Sequence, residues 1–230
     1  LVILSGSIDL RKAKELTKKY FGKIKNNISI EKMVLKDPKI KTSLTIQHNH
    51  PSVKQKIWKK LFKSASYKDS IERGIALDMG LKILAGGSTS ILYEELVKKQ
   101  QIVSSIGGYY QGMTRDLGTI YFYAIPNDGV SIPDLEKKIK ITIKDAIENK
   151  ITDEKFNLQK KSYLYSDVYI RDSITKPAQI IGEALTIGLN LDNIENWNTY
   201  VRKLTLKDVV KELKLFMNNK NFVTGILDTQ

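Results

Sequence analysis

The stretch ALDMGLKILAGGSTSILYEELVKKQQIVSSIGGYY, residues 76–110, combines two helix signals and a strand signal in a short space. Apolar residues recur every four positions from Ile71 to Ile83, which predicts a buried helix ending at Gly86-Gly87. The serines and threonine that follow can cap a second helix, expected over 88–99. Residues 102–110 are rich in β-branched and aromatic residues, so a strand is expected directly after the two helices.

A second β-rich run, residues 117–125, lies six residues beyond the first. Its side chains alternate between two sets, which is the period of a strand with two different faces. Residues 102–110 and 117–125 are therefore predicted to form a β-hairpin. The two sets are Ile120, Phe122 and Ala124 on one face, and Thr119, Tyr121 and Tyr123 on the other.

Upstream of this region the pattern predicts three strands and one helix. The apolar run Leu1–Ile8 is interpreted as a buried strand, and apolar spacing over 10–23 predicts a helix. The segment before Thr42 is polar and without a clear period, which predicts a linker. Strands are then expected over 42–47, which alternates, and over 53–60.

Downstream the chain is mostly helical. Ser131-x-x-Asp134 resembles a capping box, Thr152 is a predicted N-cap, and Thr205-x-x-Asp208 opens the last helix. Two further helices are expected over 173–189 and 192–201, and a closing strand over 221–227. Neighbouring strands joined by a hairpin and helices in runs favour an α+β fold, with a mainly antiparallel sheet covered on one side by helices.

The amino-acid composition argues against several classes of function. The chain has 230 residues, no Cys and a formal net charge of +13. The absence of Cys excludes disulfides and thiolate metal sites. Nearly all of the positive charge comes from Lys, which is scattered over every predicted helix. Recognition of phosphates and bases favours the bidentate Arg fork. Nucleic acid is therefore not expected as a partner. No stretch reaches the ~20 apolar residues of a membrane span, and the sequence does not indicate a compartment.

Few residues form a pattern typical of a catalytic or metal site. His48 and His50 share one face of a strand, but no third ligand is indicated, so surface or turn histidines are favoured over a metal site. Gly86-Gly87 lacks the Lys-Ser/Thr of a P-loop, and there is no G-x-S-x-G elbow. The residues alone predict an α+β domain with a basic surface and no self-contained active site.

An ordered set of segments resembles the C-terminal region of pitrilysin/insulinase-type zinc peptidases, the inverted zincins that include mitochondrial processing peptidase. Ser7 stands where that family usually has Asp. The segments are VILSGSIDLRKAKELTKKYFGKI (2–24), the stretch 76–110, LGTIYFYAIPNDGVSIPDLEKKI (117–139), ITDEKF (151–156), RDSITKPAQIIGEALTIGL (171–189), LTLKDVVKEL (204–213) and VTGIL (223–227).

The resemblance implies a domain organisation. Residues 1–28 would be the strand-helix end of a preceding catalytic domain, 29–41 a linker, and 42–230 a C-terminal non-catalytic domain of a processing-peptidase-like metallohydrolase. The zinc helix H-x-x-E-H of this family belongs to its N-terminal domain and does not occur in this chain. Zinc is thus expected in a full-length parent protein, while no catalytic residue and no metal ligand is expected in this chain.

Many C-terminal domains of the family carry an Arg and a Tyr seven residues apart that reach the substrate. By the resemblance, the matching positions are Val97 and Ser104. Neither side chain can supply the cationic fork or the phenol that polarises a scissile carbonyl. The parent is therefore expected to be the zinc-bearing member of a pair, acting with a homologous partner subunit or as a homodimer.

The resulting hypothesis is a zinc metalloendopeptidase that hydrolyses peptides in a closed chamber, to which this chain contributes a wall and a dimer surface. A non-catalytic scaffold or partner subunit of the same fold is the main alternative. A basic RNA-binding module is the remote one.

Overall fold

The computed structural model describes residues 1–25, 36–38 and 40–229. Five strands form one sheet: β1 (Leu44–Asn49), β2 (Ile57–Ser64), β3 (Val103–Gln111), β4 (Gly118–Pro126) and β5 (Phe222–Asp228). Their order is β1-β5-β2-β4-β3. The β1–β5 pair is parallel and the other three pairs are antiparallel, which confirms the mainly antiparallel sheet of an α+β fold.

Eight α-helices and two π-helical segments are present in the described part of the chain. The helix predicted over 88–99 is π-helical for most of its length, which its sequence pattern did not indicate. The helices are α1 (Leu10–Phe21), α2 (Ile71–Ala85), the first π-helix (Tyr93–Lys99), α3 (Ile132–Asp145), the second π-helix (Ala146–Lys150), α4 (Asp153–Arg171), α5 (Lys176–Ile187), α6 (Leu191–Glu195), α7 (Trp197–Lys203) and α8 (Leu206–Met217).

Helix α2 is the centre of the core. Eleven of its fifteen residues are buried, and the four that are not are the charged residues Glu72, Arg73, Asp78 and Lys82. It packs against β3, α4, α7 and α8. Gly80 permits the close approach to α8, because a Cβ there would lie 3.0 Å from Leu213 Cδ1. Burying a Leu or Ile side chain contributes roughly 1.5–3 kcal/mol, so this helix is a large share of the folding free energy.

In the part of the chain that the structure describes, one face of the sheet packs on the helices. Phe122, Ile120 and Trp58 point to that side and are at most 1% exposed. Phe122 stacks on Phe216 of α8 with ring centroids 5.5 Å apart, and Phe62 meets the same ring edge-on at 5.0 Å. The alternating apolar set predicted for 117–125 is therefore the core-facing set.

The predicted N-caps are confirmed. Ser131, Thr152 and Thr205 accept hydrogen bonds from the backbone N–H of the third residue of α3, α4 and α8 respectively. Thr205 and Asp208 form a complete capping box, since the Asp208 carboxylate also accepts from the Thr205 N–H. These short-range contacts depend on local sequence, which is why spacing alone located the helix starts.

The prediction of a buried strand at Leu1–Ile8 is wrong. These residues are irregular, and Leu1 is 85% exposed. A strand needs a neighbouring backbone to satisfy its N–H and C=O groups, and no described strand pairs with this segment.

Strand β2 begins four residues later than predicted, at Ile57. Most of the predicted linker 29–41 lies outside the described residues. In the described part of the chain, no helix is both long and apolar enough to cross a membrane.

Candidate functional site

The sheet face opposite the helices presents exposed apolar, aromatic and lysine side chains among the described residues. Strand side chains alternate, so partners of the core-facing residues point away from the helices. Lys59, Leu44, Ile46 and Tyr109 on this side are exposed, the last by 52%. We call this surface the open face, defined by Leu44, Ile46, Lys59, Leu61, Tyr109, Tyr121, Tyr123, Val223 and Gly225.

Three tyrosines form the aromatic part of the open face. Tyr109 and Tyr121 are cross-strand partners, and their ring centroids lie 4.8 Å apart. Tyr123 lies flat over Gly107, because a Cβ added to that glycine would be 2.6 Å from the Tyr123 ring. Rings held against the sheet in this way offer π-faces and edges to a ligand with little loss of side-chain entropy.

Positive charge accompanies the tyrosines. The Lys59 Nζ lies 6.0 Å from the Tyr121 ring centroid, and within the described ranges no carboxylate lies at ion-pair distance from it. Lys63, further along β2 on the same face, is paired with Asp37 at 2.8 Å. Lys59 is therefore the cation of this face that remains available to a ligand.

The described residues do not form a zinc site. They contain no group of three or more His, Cys, Asp or Glu side chains that could hold a metal ion. His48 and His50 are exposed, with ring centroids 6.1 Å apart, and His50 Nδ1 accepts a hydrogen bond from the Ser52 N–H. One imidazole nitrogen is thus already occupied, and no third ligand of the described set approaches the pair. The zinc that the family resemblance implies was expected in the preceding domain of a parent protein, and the described histidines and carboxylates do not fit it.

Val97 and Ser104 lie on either side of the junction between the first π-helix and β3. Val97 is half-buried and packs against the core, whereas Ser104 is exposed and donates a hydrogen bond to the Ile125 carbonyl at 3.3 Å. Ser104 occupies the irregularity in the β3–β4 register between Val103 and Ser105. Their correspondence to the Arg and Tyr of the family remains a prediction.

An ion cluster ties the two π-helices together beside this junction. Glu95 contacts Lys99 at 2.8 Å and Lys150 at 3.0 Å, and Lys150 also contacts Asp145 at 2.9 Å. Hydrogen bonds from Lys99 and Lys150 lower the pKa of Glu95. Hydrogen bonds to Asp145 and Glu95 raise the pKa of Lys150. Between the first π-helix and β3, Gln101 adopts a positive φ of 52°.

The sequence singled out Val97 and Ser104, whose role stays a prediction, and the two histidines, but it did not identify the open face. A signal for it was present in the alternation of 119–125, whose second set contains two tyrosines. The alternation indicates that Ile120, Phe122 and Ala124 face the core, but whether another element covers the opposite set depends on segments distant in the chain.

Similar solved structures share this fold. A protease from Helicobacter pylori matches with a TM-score of 0.87 at 22% identity, over 97% of this chain and 53% of that chain. The first half of the periplasmic protease PqqL from Escherichia coli matches with a TM-score of 0.75 at 11% identity, over 97% of this chain and 50% of that chain. A peptidase M16 inactive domain from Pseudomonas fluorescens matches with a TM-score of 0.67 at 15% identity, over 82% and 43%.

This chain spans about half the length of those proteins, and at such identities the likeness concerns the fold. No curated protein matches it. A family model described as the peptidase M16 inactive domain matches residues 1–163. Because that match extends over more than half of the sequence, the chain belongs to the peptidase M16 inactive-domain family.

Proposed function

We propose that this chain is the non-catalytic domain of a zinc metalloendopeptidase and that its open face forms one wall of a peptide-degrading chamber. The observation that carries the proposal is the sheet itself, which is covered by helices on one side and presents exposed tyrosine, leucine and lysine side chains on the other. Membership in a family of inactive peptidase domains supports a non-catalytic role for this chain in such an enzyme.

Zinc belongs in this proposal to another domain of the parent protein, where it would activate the water that attacks the peptide bond. The present chain would bind and enclose the peptide. Its histidines and carboxylates do not form a metal site within the described ranges, so no catalytic step is assigned to them.

The domain organisation is part of the same proposal. Residues 1–28 would complete the preceding domain, residues 42–230 would form the inactive domain, and residues 29–41 would link the two. Helix α1 supports this division, because none of its residues is buried although its apolar residues lie on one side. Tyr20 is 66% exposed, and Phe21 is 48% exposed. An amphipathic helix gains its stability by burying that side, which the preceding domain would cover.

The test is hydrolysis of an unstructured, internally quenched fluorescent peptide by the protein expressed from the whole coding sequence. We expect cleavage in the presence of zinc and its loss after EDTA treatment. The assay is repeated after adding any homologous subunit that copurifies, since a partner or a second copy is proposed to close the chamber. Molecular mass by light scattering reports that association.

Failure to cleave under all of these conditions would overturn the enzymatic part and leave a non-catalytic scaffold of the same fold. The upstream sequence separates the two independently. An intact H-x-x-E-H motif favours the peptidase, and a degenerate one favours the scaffold.

A further inference from the structure

The open face has a position without a side chain at its centre. Gly225 of β5 lies between Lys59 of β2 and Ile46 of β1, its registered partners on either side. A Cβ built on Gly225 meets no atom within 4 Å. Since neighbouring strands are about 4.8 Å apart, the missing side chain leaves a gap of roughly 10 Å between the flanking residues.

Lys59 connects this gap to the tyrosines. On β2 it is paired with Gly225 on one side and with Tyr123 on the other. Its side chain is exposed, and its ammonium group lies 6.0 Å from the Tyr121 ring centroid. A ligand lying across the strands would therefore meet an open gap, a cation and an aromatic surface in that order.

Charge determines which ligand fits. The outward strand positions of the open face carry lysine but no Asp or Glu, and the whole chain has a net charge of +13. Asp37, which lies beside this face, is paired with Lys63, so it does not neutralise Lys59. Carboxylates are attracted to such a surface and cationic peptides are repelled. Aromatic side chains can stack on the tyrosines or enter the gap at Gly225, where burial of apolar area contributes about 25 cal/mol per Å².

We propose that the open face selects extended peptide segments that carry acidic and aromatic side chains, with Lys59 as the charge-selecting residue and Gly225 as the subsite for a large side chain. The proposal takes a peptide as the ligand from the proposed function. It adds the chemical class of peptide and the residues that choose it.

Binding is measured on the 230-residue chain by fluorescence anisotropy, which requires no hydrolysis. The probes are three fluorescein-labelled unstructured twelve-residue peptides of otherwise identical sequence. One carries Asp and Phe, the second has every Asp replaced by Lys, and the third has every Phe replaced by Ala. We expect the first to bind at least about tenfold more tightly than the second, and the third to bind with intermediate affinity.

Charge reversal tests the role of Lys59 against a matched control. Lys59→Glu and Lys138→Glu change the net charge by the same amount, but Lys138 is exposed on α3, on the opposite side of the sheet. We expect Lys59→Glu to weaken the acidic peptide about tenfold and Lys138→Glu less than about twofold. Equal losses for both variants would show attraction to net charge alone and would overturn the proposal.

Filling the gap tests the subsite. Gly225→Trp adds a Cβ that meets no atom within 4 Å and an aromatic residue type that strands favour, so circular dichroism and Tm should be preserved. We expect it to weaken the Phe-containing peptide at least fivefold and to leave the Ala-containing peptide within twofold. An unchanged affinity for the Phe-containing peptide in a folded variant would refute the subsite.

The two proposals fail in different ways. If the whole protein cleaves peptides while this chain shows no preference for acidic ones, or binds none, the selectivity is refuted and the peptidase stands. If the chain selects acidic aromatic peptides but the whole protein cleaves nothing, the open face is confirmed as a peptide site and the peptidase is refuted.

Discussion

Replacement of Arg73 by methionine is expected to destabilise the core by breaking the ion pair between α2 and α8. Arg73 Nε donates to Glu212 Oε1 at 2.9 Å, and a second nitrogen, Nη2, donates to Oε2 at 3.1 Å. The Glu212 side chain is only 7% exposed, whereas the Arg73 side chain is 47% exposed. Methionine keeps much of the aliphatic stem of Arg73 and removes both donors.

The size of the stability loss depends on the Glu212 carboxylate, which stays buried after Arg73 is replaced. Breaking a fully buried pair costs about 3–5 kcal/mol, because one charge remains buried and unpaired. Arg73 is half-exposed, so water can reach part of the vacated space, and the expected loss is about 2–3 kcal/mol. For a chain of this size that lowers Tm by roughly 4–12 °C.

Urea unfolding followed by circular dichroism measures the loss as a lower midpoint at an unchanged m-value. The matched control is Lys144→Met, which breaks a 4.0 Å pair with Glu148 between side chains that are 71% and 51% exposed; it should cost less than about 0.5 kcal/mol. The double variant Arg73→Met with Glu212→Met should be more stable than Arg73→Met alone, because no buried charge is left unpaired. A cost for Arg73→Met no larger than that of the control would refute the reasoning.

Three further predictions concern stability. Gly74→Ala should cost about 1–3 kcal/mol in urea unfolding, because its Cβ would lie 2.4 Å from the buried Tyr67 ring; an unchanged midpoint would show that the ring moves at no cost. Thr205→Ala removes the N-cap of α8 and should cost about 1 kcal/mol, with Thr205→Ser as the variant expected to retain the stability. The pKa of Glu95 is lowered from 4.5 by Lys99 and Lys150, so its stabilisation is present above that pH and is lost as the pH falls through the lower folded pKa. Glu95→Gln should accordingly be less stable than the parent at pH 7 and lose less stability on acidification below pH 4.5, and parallel stability curves for the two proteins would contradict this assignment.

Local signals in the sequence predicted much of the fold. The helix starts at Ser131, Thr152 and Thr205 and the β-hairpin of 103–126 follow from contacts between residues close together in the chain. The π-helical form of 93–99 did not follow from local signals. Its Glu95 is held by Lys150, a residue 55 positions away that spacing cannot identify as a neighbour.

The candidate site also has features that the sequence predicts and features that depend on distant contacts. The sequence by itself determined that 117–125 would have two unlike faces, that Gly225 would lie in a strand, and that Val97 and Ser104 would flank the start of another. It equally determined the excess of lysine, from which the basic character of the surface follows.

Only the tertiary structure decided that the described helices leave the second face of the sheet uncovered. Helices α2 and α8 bury Phe122 and its neighbours and leave Tyr121 on the other side, while pairing of β5 with β1 and β2 brings Gly225, Ile46 and Lys59 together from three distant segments. The physical reason is that alternation assigns the apolar set of a strand to the core but does not say whether another element covers the opposite set. That depends on which distant segments pack against the sheet.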